Sequence, residues 1–189
     1  LGARGNSGVI LSQILAGITD SLKGCETVDA RTLAEAYRGG IKKSYDAVRN
    51  PTEGTILTVF RESTEYAAAN IDEHSTIDDF YRLHIEEAQR SLARTKDILP
   101  VLTEADVVDS GGAGYLAIAV GMYLSLTGKM KVDAVSETAA PRAKKVDLDA
   151  FTRDSVLEFG YCTEVLVRLQ NAKTDISTFD VGVISDYLQ

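Results

Sequence analysis

Gly5-Asn6-Ser7-Gly8 runs straight into Val9-Ile10-Leu11, and the apolar residues that follow recur at helical spacing. Leu11, Ile14, Leu15, Ile18 and Leu22 fall on one stripe, so Val9 to Leu22 is expected to form an amphipathic helix. Small and amide-bearing residues at a helix start have two readings. One is an ordinary cap, because Ser and Asn satisfy the orphan amides of a first turn. The other is a cradle for an anion. First-turn N–H groups lack partners, the helix dipole is positive there, and Gly admits a ligand close to the backbone. Taken alone, the stretch divides evenly between them. It is not a Walker A loop, since no Lys follows the glycines. Nor is it a hydrolase elbow, because Val9 stands where the last Gly would be.

The same pattern recurs twice. In Pro51-Thr-Glu-Gly-Thr55, the pair Gly54-Thr55 precedes a stripe of Ile56, Val59, Phe60, Ser63 and Ala67. In Val107-Val-Asp-Ser-Gly-Gly-Ala-Gly114, Asp109 and Ser110 can cap a following helix while Gly111, Gly112 and Gly114 free the backbone. That helix, Ala113 to Leu126, is apolar nearly all round and is expected to be the most buried, with Gly121 marking a close helix contact. If the helices run up and down, alternate starts lie at one end of the bundle. Three such turns would then converge on one anion, an arrangement that three independent caps do not require. That lifts the phosphate reading above the capping one.

Between these stretches the helical period continues. Asp29 can cap a helix carrying Leu33, Tyr37, Ile41, Tyr45 and Val48, which Pro51 interrupts. Ser75-Thr-Ile-Asp78 has the form of a capping box with Asp for Glu. It opens a helix with Ile77, Tyr81, His84, Ile85, Ala88 and Leu92 on its stripe, broken at Pro100. Residues 1–128 therefore read as a mainly α domain. Residues 129–153 are charged, aperiodic and carry Pro141, the signature of a linker. From 154 to 189 the period shifts to two, with Val165, Val167 and Leu169 on one face, and a helix is expected from Ile176 to Leu188. This segment is expected to begin a small α+β domain.

Composition narrows the function. A net charge of −8 and a pI near 4.8 argue against nucleic-acid binding and against anionic membrane surfaces. The longest apolar stretch, Tyr115 to Leu126, is too short to span a bilayer. Two distant cysteines, Cys25 and Cys162, point to a reduced, cytoplasmic setting. With only His74 and His84 besides, a His/Cys metal cluster is nearly excluded. His84 sits on an apolar stripe and reads as a core residue, His74 lies in a polar loop, and Cys162 reads as a buried thiol before a strand. Gly112-x-Gly114-x-x-Ala117, with Asp133 downstream, fits a dinucleotide-binding pattern. The acid-interrupted run before it and the absence of alternating strands and helices count against that reading.

Four stretches in order, GARGNSGVILSQI (2–14), PTEGTILTV (51–59), VVDSGGAG (107–114) and FGYCTE (159–164), resemble one family. It is the DhaL-type (DAK2) nucleotide-binding domain, in the form carried by the ATP-binding subunit of bacterial fatty-acid kinases and shared with dihydroxyacetone kinases. The resemblance implies an antiparallel helical bundle or barrel with ATP at one end and Mg²⁺ bridging its phosphates. It implies that Asn6 and Ser7 touch the phosphates, that Gly54, Thr55 and Ile56 line the pocket, that Asp109, Ser110 and Gly111 close over the adenosine side, and that Gly8 and Gly112 belong to the same nucleotide-binding set. It implies a fatty-acid substrate presented by a separate FakB-type (DegV-like) carrier protein, with acyl phosphate as product, and it leaves a homodimer open. The family holds Mg²⁺ with the Asp residues of a P-D-G-D-T-G segment ahead of the first motif, and no such segment occurs in these residues. The expectation is a chain that begins inside the domain, with its leading helices missing, and is inactive alone. Cys162 is at most a partial metal ligand. The rival is a non-enzymatic helical interaction module whose glycine turns are only caps.

Overall fold

The computed structural model of the chain describes residue 3 and residues 5–129. The expected linker and α+β domain, with Cys162 and Asp133, lie outside the described residues. Every regular element described is a helix: α1 (Gly5–Ser21), α2 (Ala30–Asp46), α3 (Ile56–Asn70), α4 (Ile77–Ile98), the short α5 (Pro100–Ala105) and α6 (Ser110–Leu126). This is the mainly α helical bundle that the sequence predicts.

Local chemistry sets most of the ends. Asp29 caps α2 by accepting from Thr32 N at 2.7 Å. The capping box of α4 stands one residue later than expected. Thr76 and Asp79 exchange the reciprocal bonds, while the Ser75 hydroxyl is engaged by Asp72. Pro100 does not simply stop α4 but opens α5, where its missing N–H costs nothing. Gly5-Asn6-Ser7-Gly8 is not a loop before α1. It is the first turn of α1, with Gly5 at φ 69°.

Consecutive long helices run antiparallel. Arg38 pairs with Glu65 and Arg61 with Tyr45, aligning the start of α3 with the end of α2. Ser91 donates to Glu62, aligning α4 against α3 in the same sense. Between α1 and α2 the backbones nearly touch, since a Cβ on Gly17 would lie 2.4 Å from Gly39 O. Only glycine permits that approach.

The core gathers Ile10, Ile14, Leu33, Tyr37, Leu57, Val59, Phe60, Phe80, Tyr81 and Tyr115. Every residue on the expected α3 stripe is buried. His84 is fully buried, as its place on the α4 stripe implied. Its Nε2 pairs with Tyr115 Oη at 2.5 Å and Ser63 Oγ at 3.2 Å, and its ring stacks on Phe80. Burial, only partly opposed by a hydrogen bond to the Ser63 backbone, pushes its pKa down to about 3. His74 is exposed.

The expectation for α6 is overturned. Gly112, Tyr115 and Ala119 are its buried residues, while Ile118, Met122 and Leu126 are 41%, 42% and 51% exposed. Among the described residues, the helix packs by one face, on α3 and α4 with minor contact to α1. A Cβ on Gly121 would meet nothing within 4 Å, so that glycine serves no close packing among the described residues.

Candidate functional site

Because neighbouring helices alternate in direction, the starts of α1, α3 and α6 lie at the same end. Gly112 packs against Val59, and Tyr115 against Phe60, so α6 runs parallel to α3. A Cβ on Gly111 would sit 2.6 Å from Ser7 Oγ, which places the first turns of α1 and α6 side by side.

These starts open on one cleft of about 470 Å³. Asn6 and Ser7 of α1, Thr55, Ile56 and Leu57 at the start of α3, and Asp109 at the cap of α6 all line it. The positive dipole ends of three helices therefore border a common volume. A cleft of this size suits a small-molecule ligand. Thr55 caps α3, accepting from Leu57 N at 3.4 Å, and Asp109 caps α6, accepting from Gly112 N at 2.6 Å. Asp109 is itself anchored, its N–H donating to Thr95 Oγ1 at 3.1 Å.

The remaining candidate residues sit behind this surface. Gly54, at φ 81°, is buried against Ile98 and Leu99, so its value is the left-handed backbone that the turn needs. Gly112 is buried between Val59 and Leu92. Gly8, Ser110 and Gly111 belong to the first turns of α1 and α6 without lining the cleft.

One wall was not foreseen. The end of α2 and the turn after it contribute Ala47, Val48, Arg49, Asn50 and Thr52. The signal was present as an Arg-Asn pair directly ahead of Pro51, but it carries no spacing rule that distinguishes it from a solvated turn. Val9, Ile10, Val48, Ile56 and Leu57 give the cleft an apolar side, while Asn6, Ser7, Asn50, Thr52 and Thr55 give it a polar one. Arg49 adds a cation beside the three helix starts.

Among the described residues, Asp109 is the one acid in the lining. Among the described residues no group of three or more His, Cys, Asp or Glu is placed to hold a metal. The donor set therefore suits an anion or a nucleotide and does not by itself fit Mg²⁺. The dinucleotide reading loses its footing. Val107 and Val108 form no strand, and Gly112 and Gly114 lie within α6. No described helix is long and apolar enough to cross a membrane.

Comparison with known proteins places most of the described residues in one family. A family model for the DAK2 domain matches residues 1–124. Protein YloV of Bacillus subtilis is 37% identical over 187 residues, covering 96% of this chain and 33% of that protein. An uncharacterised protein of Staphylococcus saprophyticus is 35% identical over 198 residues, covering 95% of the chain and 34% of the relative. One from Staphylococcus aureus strain USA300 is 36% identical over 183 residues, covering 92% and 32%. The chain thus spans about a third of the length of these relatives. Since the family model covers nearly all of the helices that build the cleft, the protein belongs to the DAK2 (DhaL-like) domain family.

Proposed function

We propose that the chain is the nucleotide-binding part of an ATP-dependent phosphotransferase and that the cleft at the starts of α1, α3 and α6 holds the nucleotide. The observation that carries this reading is the meeting of three helix N-termini, far apart in sequence, on one open volume. Amide donors and dipole ends in that arrangement favour a polyphosphate. Asn6, Ser7 and Thr55 add side-chain donors, and Arg49 adds positive charge. The apolar side, with Val48 and Ile56, offers a surface for the base.

Phosphoryl transfer depends on positioning and on charge stabilisation more than on covalent participation by the protein. The described residues supply no ligand set for Mg²⁺, so what they contribute is binding and orientation. DAK2 membership supports a kinase-type role. The resemblance to fatty-acid kinase subunits extends the proposal to a fatty acid on a FakB-type (DegV-like) carrier as acceptor, and to an acyl phosphate product.

Titration of the full chain with ATP tests the site. Ser7→Asp puts a carboxylate between two dipole ends and is expected to weaken binding by at least about tenfold, equal to about 1.4 kcal/mol. Arg49→Ala is expected to weaken it less. Unchanged affinity in both variants would remove the cleft as the nucleotide site. Transfer of phosphate to a fatty acid only when a carrier is added would support the acceptor.

A further inference from the structure

The Gly54–Thr55 turn is held from behind by a relay of hydrogen bonds outside the cleft. Thr58, in the first turn of α3 and 1% exposed, accepts from Gly54 N at 2.8 Å. Its hydroxyl donates to Glu53 Oε2 at 2.5 Å. Because the amide occupies a lone pair of that hydroxyl, its single proton is committed to the carboxylate. Glu53 is fixed in turn. Tyr45 Oη donates to Oε1 at 3.0 Å and Arg61 Nη2 donates to Oε2 at 2.8 Å. Arg61 Nε donates to Tyr45 Oη at 2.9 Å, which closes the ring. The end of α2, the turn and the first two turns of α3 are thus tied together. Burial works to raise the Glu53 carboxyl, but hydrogen bonds from Thr58, Arg61 and Tyr45 outweigh it and hold it below the usual range.

The turn that this relay grips is the one that matters to the cleft. Thr52 and Thr55 line the cleft, and the turn delivers Ile56 and Leu57, the first residues of α3, to the same surface. Gly54 holds a left-handed conformation between them. Neither Glu53 nor Thr58 lines the cleft.

We propose that Thr58 and Glu53 are positioning residues for the bound nucleotide, their relay setting the Gly54 turn so that the first amides of α3 aim into the cleft. This rests on the nucleotide reading above and deepens it. Preorganised donors bind better than donors that must be ordered on binding, so loosening the turn weakens the ligand without touching it.

The test compares four variants of the full chain by ATP titration, by amide hydrogen exchange without nucleotide, and by thermal melting. Thr58→Val keeps the shape and removes the hydroxyl; Thr58→Ser keeps the hydroxyl. Glu53→Gln changes an exposed residue and leaves the core alone. Ser63→Ala is the control for general damage to α3, since Ser63 is buried on the same helix but faces His84. Thr58→Val is expected to speed exchange at Gly54 by about tenfold or more and to weaken ATP by about fivefold or more, with Glu53→Gln intermediate. Thr58→Ser is expected to restore both, and Ser63→Ala to lower the melting temperature without changing affinity. If Thr58→Val does not fold, Glu53→Gln carries the decision. Wild-type binding that neither the Thr58→Val nor the Glu53→Gln variant weakens would overturn this inference alone, as would an equal loss in Ser63→Ala. A wild-type chain that binds no ATP would overturn the nucleotide reading and this inference with it.

Discussion

Helices α3 and α6 lie side by side and invert the ordinary rule of burial. Helix α3 carries Arg61, Glu62 and Glu65 and three Ser or Thr residues, yet Ile56, Leu57, Thr58, Val59, Phe60, Ser63, Thr64 and Ala67 are all buried. Helix α6 has no charged residue, yet its buried residues are Gly112, Tyr115 and Ala119. Position explains this. Among the described residues, α3 is flanked by α2, α4 and α6, whereas α6 rests on α3 and α4, and each makes minor contact with α1. The polar residues of α3 survive burial because their hydrogen bonds are largely met. The Ser63 hydroxyl donates to Val59 O at 2.7 Å, and Thr58 joins the Gly54 relay. Average hydrophobicity reports what a helix can tolerate, and the number of neighbours decides what it buries.

The largest test of this contrast is Phe60→Ala. Phe60 is fully buried and packs on Tyr37 and Tyr115, so about 3–5 kcal/mol of stability should be lost in chemical denaturation. A loss below about 1 kcal/mol would mean that α3 is not the centre of the core.

A second test uses the His84 contact that joins α3, α4 and α6. Its folded pKa of about 3 lies below the unfolded value of 6.5, so between those values the unfolded chain binds the extra proton. Stability should be fully present above pH 6.5 and should fall with acid by up to about 1.4 kcal/mol per pH unit. Asp20 and Asp79, both lowered to about 2, add their losses only as pH falls below about 4. Melting followed from pH 7 to 5.5 isolates His84, since Glu53, lowered from the ordinary Glu value of 4.5, adds its loss only at more acid pH. A flat profile there, or an unchanged slope in His84→Gln, would contradict its buried, neutral state.

Asp109→Ala removes the α6 cap and should cost about 1 kcal/mol, with faster amide exchange at Gly112. The smallest effect is expected on the open face of α6. Ile118→Gln should change the melting stability of the chain by no more than about 0.5 kcal/mol, despite replacing an apolar residue in an apolar helix. A loss comparable to that of Phe60→Ala would show that the face is packed in solution.

Much of the bundle was legible because helical periodicity and capping are local. The α3 stripe, the Asp29 cap and the core position of His84 follow from spacing alone. One failure falls where two local solutions compete. Ser75 and Thr76 can each cap α4, and Asp72 draws Ser75 away. For the cleft, the three glycine-bearing helix starts were visible, but the Ala47–Thr52 wall and the Thr58–Glu53 relay were not, since neither has a sequence signature.

Residue order by itself determined which stretches are helical, which faces of α2, α3 and α4 are apolar and which starts carry small polar groups, because each of these depends on neighbours within a turn or two. Tertiary structure alone decided that α6 keeps an exposed face and that Asn6, Thr55 and Asp109 share one cleft. Those outcomes depend on how many helices surround a given one and on the alternation of their directions, which no local pattern encodes.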